Sequence, residues 1–160
     1  MLFKPELCEA ILQRKKTQTR RVIKTGESGY IYPTGLFNPD DIEPNDVLTF
    51  VKNPSGTIKW RVGRTYAIQP GSGKHGIGSI RLQHIRCQRL QDITGEDVIA
   101  EGVSIPPRDP DIMVTQYPGW YESTLKHEFS HLWDSINKEQ GTRWNDNPWV
   151  WVLTFTLSGA

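Results

Sequence analysis

Three side chains capable of polar chemistry lie close together in the sequence, at Lys16, Thr19 and Arg21. They follow a segment from Pro5 to about Lys16 in which apolar residues recur at helical spacing. Lys16 and Thr19 share a face if the helix continues through them, whereas Thr19 and Arg21 share one if the chain is extended. In either conformation a cation and a hydroxyl converge, as nucleophile activation or anion binding requires. The alternative is a basic helix end that only complements the helix dipole.

Two further segments match motifs of zinc and dinucleotide sites, but the elements predicted around them do not fit such sites. His127 and His131 fall in an H-E-x-x-H pattern, the helix signature of zinc metalloproteases. On a helical wheel both lie opposite the apolar stripe, so we expect them to face solvent and predict no metal site. Residues 71–76 match G-x-G-x-x-G, but a strand is predicted after them instead of the helix that a dinucleotide site needs. We therefore predict a loop between two strands, with Lys74 at its tip available to a phosphate.

The composition predicts one globular domain spanning residues 1–160. Hydrophobic residues make up 36% of the chain and charged residues 23%. A chain of this size buries a core without disulfides. Cys8 and Cys87 are too few for a disulfide framework or a four-thiolate zinc site. No apolar run approaches the roughly 18 residues of a membrane span and no signal peptide is recognisable, so we expect a cytoplasmic protein without membrane contact.

Basic residues are concentrated in the first part of the chain. Residues 1–91 carry 15 Lys or Arg against 7 Asp or Glu, whereas residues 92–160 carry 4 against 11. This asymmetry predicts a positive face for the phosphates of RNA or a nucleotide. The alternative is a solvated surface whose acidic partners come from the second half. The predicted phosphate contacts are Arg20, Arg21, Lys74 and Arg81. The predicted stacking aromatics are Tyr30, Tyr32, Trp120, Tyr121 and Trp144.

The predicted order of elements is a helix, several strands, two helices and a final strand, which favours the α+β class. Helices are predicted at residues 5–16, 94–102 and 121–138. Strands are predicted at residues 46–52, 57–69, 79–91 and 150–157. Loops are predicted at residues 25–45 and 104–119.

Four segments, in order, resemble the ASCH domain family, a branch of the PUA-like fold. Residues 11–21 are similar to its I-L-x-G-x-K-T-x-T-x-R opening, with Arg14 in place of the glycine. Residues 46–48 resemble its G-D-x-L, and residues 90–102 its L-Q-D-I-T-x-E-D-x-x-A-E-G. Residues 129–137, followed by residues 147–152, resemble the end of phage and prophage members. The resemblance covers nearly the whole chain and implies a small PUA-like β-barrel of about five to six strands with flanking helices.

The resemblance also implies a function. Some ASCH relatives are N4-acetylcytidine amidohydrolases with a catalytic Lys, Thr and Glu, and these motif positions are Lys16, Thr19 and Glu101 here. Amide hydrolysis needs a nucleophile, a proton carrier and a group for the oxyanion, which these residues and Arg21 can supply without a metal or other cofactor. The implied ligand is RNA, a nucleoside or a nucleotide. The alternatives are a non-catalytic RNA-binding module and a ribonuclease, as other relatives are described.

Overall fold

The computed structural model describes residues 1–31, 36–37, 46–105 and 118–159. Helices in these ranges are α1 (Pro5–Leu12), α2 (Gly95–Ala100) and α3 (Pro118–Ile136). Strands are β1 (Gln18–Val22), β2 (Ser28–Tyr30), β3 (Leu36–Phe37), β4 (Phe50–Lys52), β5 (Ile58–Arg61), β6 (Thr65–Ala67), β7 (Ser79–Arg89) and β8 (Trp149–Gly159). None of the described helices has both the length and the apolar character that a membrane crossing requires.

The strands form two antiparallel four-stranded sheets. Sheet one has the order β1-β8-β7-β6, and sheet two has the order β3-β2-β4-β5. Backbone hydrogen bonds join them along β7: the amide of Leu48 donates to Ile85 O at 2.8 Å, and the amide of Gly63 donates to Leu82 O at 2.8 Å. The two sheets therefore share one corner, and sheet one has β1 at its free edge.

Near residues 150–155 of β8, sheet one is buried on both faces, because the side chains of this inner strand alternate between two apolar clusters. Trp151, Leu153 and Phe155 pack into the cluster formed with sheet two and α1. Val150 and Val152 pack into the cluster formed with α2 and α3. The second cluster contains the buried stripe of α3, which consists of Leu125, Phe129 and Trp133. These positions confirm that this helix has the apolar stripe on which the helical wheel is based. Ile136, the last residue of the helix, is exposed.

The predicted α+β class is confirmed, but the elements differ from the prediction in number and arrangement. The described residues hold eight strands in two sheets, and no set of these strands closes into a barrel. The predicted strand at 57–69 is broken by Gly63 (φ +86°) into β5 and β6. Strands β2 and β3 lie in the predicted loop at 25–45. Residues 32–35 and 38–45 of that loop, including Tyr32, and residues 106–117 of the second loop lie outside the described residues.

Helix α1 ends four residues before the predicted end at Lys16, because the chain turns out of the helix at Arg14. Arg14 has a left-handed backbone with φ +61°. Its amide donates to Ile11 O at 2.9 Å, and the amide of Lys15 donates to Ala10 O at 2.8 Å. This pair of bonds is the Schellman helix end, in which glycine is the usual residue at the position of Arg14. The turn releases Lys16 from the helix and directs it toward β1.

We expect Arg14→Gly to raise the free energy of unfolding by up to about 1 kcal/mol, because a non-glycine residue in the left-handed region costs roughly that much. Urea unfolding measures the change. The matched control is Lys15→Gly, since Lys15 is also exposed but lies outside the left-handed region. Glycine there should lower the free energy of unfolding through chain entropy alone. Equal losses in both variants would contradict the interpretation.

Candidate functional site

The turn after α1 is held between α2 and the central strand of sheet one. The amide of Thr17 donates to Ala100 O at 2.8 Å, and the amide of Phe155 donates to Thr17 O at 2.9 Å. Gly102 follows α2 with φ +94°, and a Cβ at this glycine would lie 3.2 Å from the Cβ of Lys16. This close approach places the side chain of Lys16 beside Glu101, the residue that caps α2.

Lys16 and Glu101 form a buried ion pair. The Nζ of Lys16 donates to Glu101 Oε2, to the backbone oxygen of Glu101 and to the backbone oxygen of Gln18, each at 2.8 Å. The two residues are 2% and 4% exposed. Burial lowers the pKa of Lys16, while the charge of Glu101 and its hydrogen bond act in the opposite direction. The pair therefore places an ammonium group and a carboxylate 2.8 Å apart with little water around them.

Arg20 fixes the other oxygen of the Glu101 carboxylate. Its Nη1 donates to Glu101 Oε1 at 3.1 Å and to Gln18 Oε1 at 2.6 Å. Its Nη2 donates to Gln88 Oε1 at 2.6 Å and to Asp97 Oδ2 at 3.0 Å. Both terminal nitrogens of this buried guanidinium are thus bound to protein groups. We assign Arg20 a positioning role, in contrast to the phosphate contact predicted from its charge.

Helix α2 presents both carboxylates to Arg20 because Asp97 and Glu101 are four residues apart and share a helix face. Thr94 is the N-cap of this helix, since its Oγ1 accepts from the amide of Asp97 at 3.2 Å. Asp97 also accepts from Arg86 Nη2 on β7 at 3.2 Å. The sequence reasoning missed Asp97 and Arg86, although the spacing of Asp97 and Glu101 is visible in the sequence.

A cleft of about 770 Å³ runs along the free edge of β1. Because side chains alternate along a strand, Thr19 and Arg21 lie on the opposite face of β1 from Arg20. All three line the cleft, as do Lys16 and Glu101. Other parts of its wall come from the N-terminal segment, from β5 and from the second half of α3, including Phe3, Trp60, Leu132 and Ile136. The structure therefore brings the predicted catalytic residues Lys16, Thr19 and Glu101 to one cleft.

Thr19 carries the hydroxyl of the cleft. Its side chain is mostly buried, and its Oγ1 makes no hydrogen bond within the part of the chain that the structure describes. The neighbouring amides and carbonyls of β1 pair with β8, with Thr19 opposite Leu153. A hydroxyl on a rigid strand with a free lone pair and a free proton is suited to attack or to bind a ligand.

Arg21 lies in the same cleft and is oriented by the N-terminal segment. Its Nη2 donates to Leu2 O at 2.7 Å, and its guanidinium carbon lies 5.0 Å from the centroid of the Phe3 ring. Its Nε is buried and has no hydrogen-bond partner among the described residues. This guanidinium therefore retains donor capacity for an anion or for an oxygen that becomes negative during a reaction.

Positive charge exceeds negative charge along the cleft. Its described lining contains seven basic residues and two acidic ones. Glu101 is already paired with Lys16 and Arg20. Lys59 and Arg20 also pair with carboxylates outside the lining, those of Glu27 and Asp97. The positive charge that remains in excess favours an anionic ligand. The basic lining residues are Lys4, Lys16, Arg20, Arg21, Lys24, Lys59 and Lys138, and the acidic ones are Glu101 and Glu139.

The other predicted ligand-binding residues lie away from the cleft. Lys74 is exposed in the loop between β6 and β7, as predicted, and Arg81 is exposed on β7. Trp144 is half-buried and packs edge-on against Phe129, with ring centroids 6.1 Å apart. None of the three lines the cleft. Trp144 therefore belongs to the packing between α3 and the chain that follows it.

His127 and His131 face solvent on α3, as the helical wheel predicted. Their Nε2 atoms lie 3.1 Å apart, and both residues are exposed. Within the described ranges no group of three or more His, Cys, Asp or Glu side chains is arranged to hold a metal ion. The H-E-x-x-H pattern thus lacks the third protein ligand that a zinc protease site requires in this part of the chain.

Comparison with known proteins bears on the fold. No family model and no curated protein matches the chain. An ASCH domain from Lactobacillus crispatus has a TM-score of 0.47 at 12% identity, over 96% of this chain and 71% of that one. A DUF984 protein from Enterococcus faecalis has a TM-score of 0.50 at 8% identity, over 96% of this chain and 70% of that one. The chain shares the fold of the Enterococcus protein. At this identity the likeness concerns the fold alone.

We expect Asp97→Asn to lower the free energy of unfolding at pH 6 by about 2 kcal/mol, a common cost for hydrogen bonds to charged groups. Burial raises the pKa of Asp97, but the charges of Arg20 and Arg86 lower it by a larger amount. The pKa of this carboxyl therefore lies below its ordinary value. A depressed pKa stabilises the fold above the unfolded value near 3.9, and this contribution disappears as the pH falls through the folded value. Urea unfolding at pH 6 and pH 3 should therefore show a smaller difference between Asp97→Asn and wild type at pH 3 than at pH 6.

The control for Asp97→Asn is Glu96→Gln, because Glu96 lies in the same first turn of α2 but is exposed. It should change stability by only a few tenths of a kcal/mol, through the helix dipole. A wild-type advantage over Asp97→Asn that was as large at pH 3 as at pH 6 would contradict the assignment of Asp97 to the ion cluster, which consists of Lys16, Arg20, Arg86, Asp97 and Glu101.

Cys87 is expected to resist alkylation in the folded protein. Burial raises the pKa of its thiol to about 12, and the side chain is 1% exposed. The thiolate is the reactive form, so almost none is present at pH 8. Mass spectrometry after iodoacetamide treatment should find Cys87 modified only in urea. Rapid labelling in buffer would show that β7 opens locally.

Proposed function

We propose that this chain is an ASCH protein of the PUA-like superfamily, of the phage or prophage type, that binds RNA or a nucleoside in the cytoplasm. We further propose that it hydrolyses the amide of a modified nucleoside such as N4-acetylcytidine without a metal. One observation carries the proposal: the buried ion pair of Lys16 and Glu101 opens on the cleft that is also lined by the unpartnered hydroxyl of Thr19. The resemblance of residues 11–21 and 90–102 to the family motifs supports the same three residues.

The reaction begins with proton transfer inside the ion pair. In the structure the three protons of the Lys16 ammonium are all donated to oxygens, so its nitrogen has no free lone pair. Transfer of one proton across the 2.8 Å contact to Glu101 Oε2 produces a neutral amine and a neutral carboxylic acid. Burial favours these neutral forms over the charged ones. Lys16 can then act as a base and Glu101 as an acid.

Acyl transfer follows from these two protonation states. Thr19 Oγ1 attacks the acetyl carbonyl carbon while Lys16 accepts the hydroxyl proton, and Arg21 stabilises the oxyanion. Glu101 donates its proton to the exocyclic nitrogen, the carbon–nitrogen bond breaks and cytidine leaves. Water then attacks the acetyl ester of Thr19 and gives a proton to Glu101, while Lys16 returns a proton to Thr19 Oγ1. Acetic acid leaves, with Lys16 again a neutral amine and Glu101 again a neutral carboxylic acid, and return of one proton from Glu101 to Lys16 restores the ion pair.

The excess of basic residues along the cleft favours a second function, in which the same cleft binds RNA without chemistry. Seven basic residues against two acidic ones would attract a polyanion whether or not Thr19 attacks. The two functions differ in what the hydroxyl of Thr19 contributes. A binding module loses little affinity when that hydroxyl is removed, whereas the hydrolase loses its nucleophile.

We expect Thr19→Val to lower the rate of N4-acetylcytidine hydrolysis by about 1,000-fold or more, because nucleophile removal typically costs at least this much. Valine keeps the shape of threonine, and Thr19 Oγ1 has no partner to lose within the described residues. Chromatography of the cytidine released measures the rate. The matched variant Thr19→Ser retains the hydroxyl and should retain measurable turnover.

Urea unfolding separates loss of chemistry from loss of fold. Thr19→Val should unfold at nearly the wild-type urea concentration, since the substitution removes no hydrogen bond of the described structure. Equal turnover by wild type and Thr19→Val would exclude Thr19 as the nucleophile. No turnover by folded wild type, combined with salt-dependent RNA binding, would favour the binding function.

A further inference from the structure

We infer that the outer face of sheet two is a platform for single-stranded RNA that continues from the cleft, an inference that rests on the proposed function. The platform consists of Tyr30 on β2, Phe50 and Lys52 on β4 and Arg61 on β5. The opposite face of the same sheet is closed by the core, where Val51 and Trp60 are buried. The platform residues are partly exposed and lie on the other side of their strands.

Two aromatic rings form the centre of the platform. Tyr30 and Phe50 are register partners on neighbouring strands. Their ring centroids lie 4.6 Å apart with an interplanar angle of 15°, so the rings stack. Aromatic side chains on a sheet face are groups on which the bases of single strands stack with little sequence preference.

Two cations flank these rings. Lys52 Nζ lies 5.0 Å from the centroid of Tyr30, and the guanidinium carbon of Arg61 lies 5.1 Å from that of Phe50. Within the described chain neither cation forms an ion pair with a carboxylate. The Nε of Arg61 is buried without a hydrogen-bond partner among these residues. Both cations therefore retain the capacity to bind phosphates next to bases that stack on the rings.

Strand β5 connects the platform to the cleft. Lys59 and Trp60 line the cleft, and the next residue of the strand is Arg61. Arg61 pairs in register with Phe50, which pairs with Tyr30. A single-stranded RNA that leaves the cleft across β5 would contact the guanidinium of Arg61 first and then the rings of Phe50 and Tyr30. This continuity indicates that the cleft receives one nucleotide of a longer RNA.

Single-stranded RNA explains the platform better than an acidic peptide does. An acidic peptide would use the two cations but would leave the stacked rings without a partner. RNA supplies phosphates for Lys52 and Arg61 and flat bases for Tyr30 and Phe50. A third possibility is that the rings and cations only stabilise the sheet through cross-strand contacts. The experiment distinguishes these three cases.

The first arm tests the cations through the salt dependence of binding. The probe is a fluorescein-labelled nine-residue oligouridylate, and anisotropy is measured from low to moderate salt. We expect the slope of log affinity against log salt to decrease by about 1.4 in Lys52→Gln/Arg61→Gln, since each phosphate contact on a single strand contributes about 0.7. The control is Lys15→Gln/Lys126→Gln, which removes two charges outside the cleft and sheet two. Equal slopes in the test variant and wild type would overturn the proposal.

The second arm tests the rings. Tyr30→Leu/Phe50→Leu keeps apolar bulk but removes the stacking surface. We expect roughly tenfold weaker binding of the oligouridylate with an unchanged salt slope, because each stacked base contributes substantially to affinity. Binding of inorganic polyphosphate, which has no bases, should stay as in wild type. Unchanged oligouridylate binding would assign the rings to sheet stability, and equal losses for both probes would show an anion surface without base recognition. Either result would overturn the proposal.

Both arms read binding alone, so their outcome is independent of turnover. If the platform does not bind RNA, the first variant has an unchanged salt slope, or the second variant shows unchanged oligouridylate binding or equal losses for both probes. Failure of the proposed hydrolysis appears instead as absent cytidine release by folded wild-type protein. Urea unfolding of each variant confirms that sheet two is retained, and far-ultraviolet circular dichroism of the same samples checks the secondary structure.

Discussion

The need to pair charges that are removed from water determines the architecture around the cleft. Lys16, Arg20 and Glu101 are each less than 5% exposed, and an unpaired charge in such a place would cost several kcal/mol. Each therefore has hydrogen-bond partners on another element. Because the partners come from β1, β7 and α2, these three elements can dock in only one relative position. The same constraint gives the cleft a carboxylate with both oxygens already oriented.

The apolar clusters and the ion cluster contribute to the structure in different ways. Two clusters on opposite faces of sheet one provide the burial that drives folding. The ion cluster lies at the edge of that sheet, where β1 has no strand neighbour among the described strands on its outer side. The hydroxyl of Thr19 and the guanidinium of Arg21 are thus placed on a strand at a boundary between interior and solvent. A site held by regular elements keeps its geometry better than one built on loops.

The sequence predicts the elements whose side chains follow a simple apolar period. Helix α3 and strands β7 and β8 lie close to their predicted ranges. In the helix, Leu125, Phe129 and Trp133 face an apolar cluster, and the valines of β8 face the same cluster. Strand β1 is absent from the prediction because its buried face consists of Gln18 and Arg20, whose burial depends on partners far along the chain. Strands β2 and β3 have three and two residues, too few for a period to be recognised.

The candidate site could be predicted only in part, because the role of a side chain on β1 depends on which face of the strand it occupies. Lys16, Thr19 and Glu101 are identified by motif resemblance, and the structure brings them to one cleft. Arg20 and Arg21 have the same residue type and adjacent positions, so sequence reasoning treats them alike. The strand alternation separates them: Arg20 contacts four polar side chains on one face, while Arg21 contacts Leu2 and Phe3 on the other. Only the strand conformation distinguishes the two roles.

The central position of β8 in sheet one has a consequence for the order in which the protein is made. Strand β1 carries the hydroxyl of the cleft, and in the described sheet its neighbour is β8, whose residues are synthesised more than 120 positions later. During translation β1 therefore leaves the ribosome long before its pairing partner exists. Contacts of such sequence separation form slowly, and chains that wait for them expose unpaired edges. The cleft can be completed only after β8 has emerged, so the candidate site forms only once synthesis has passed Trp149–Gly159.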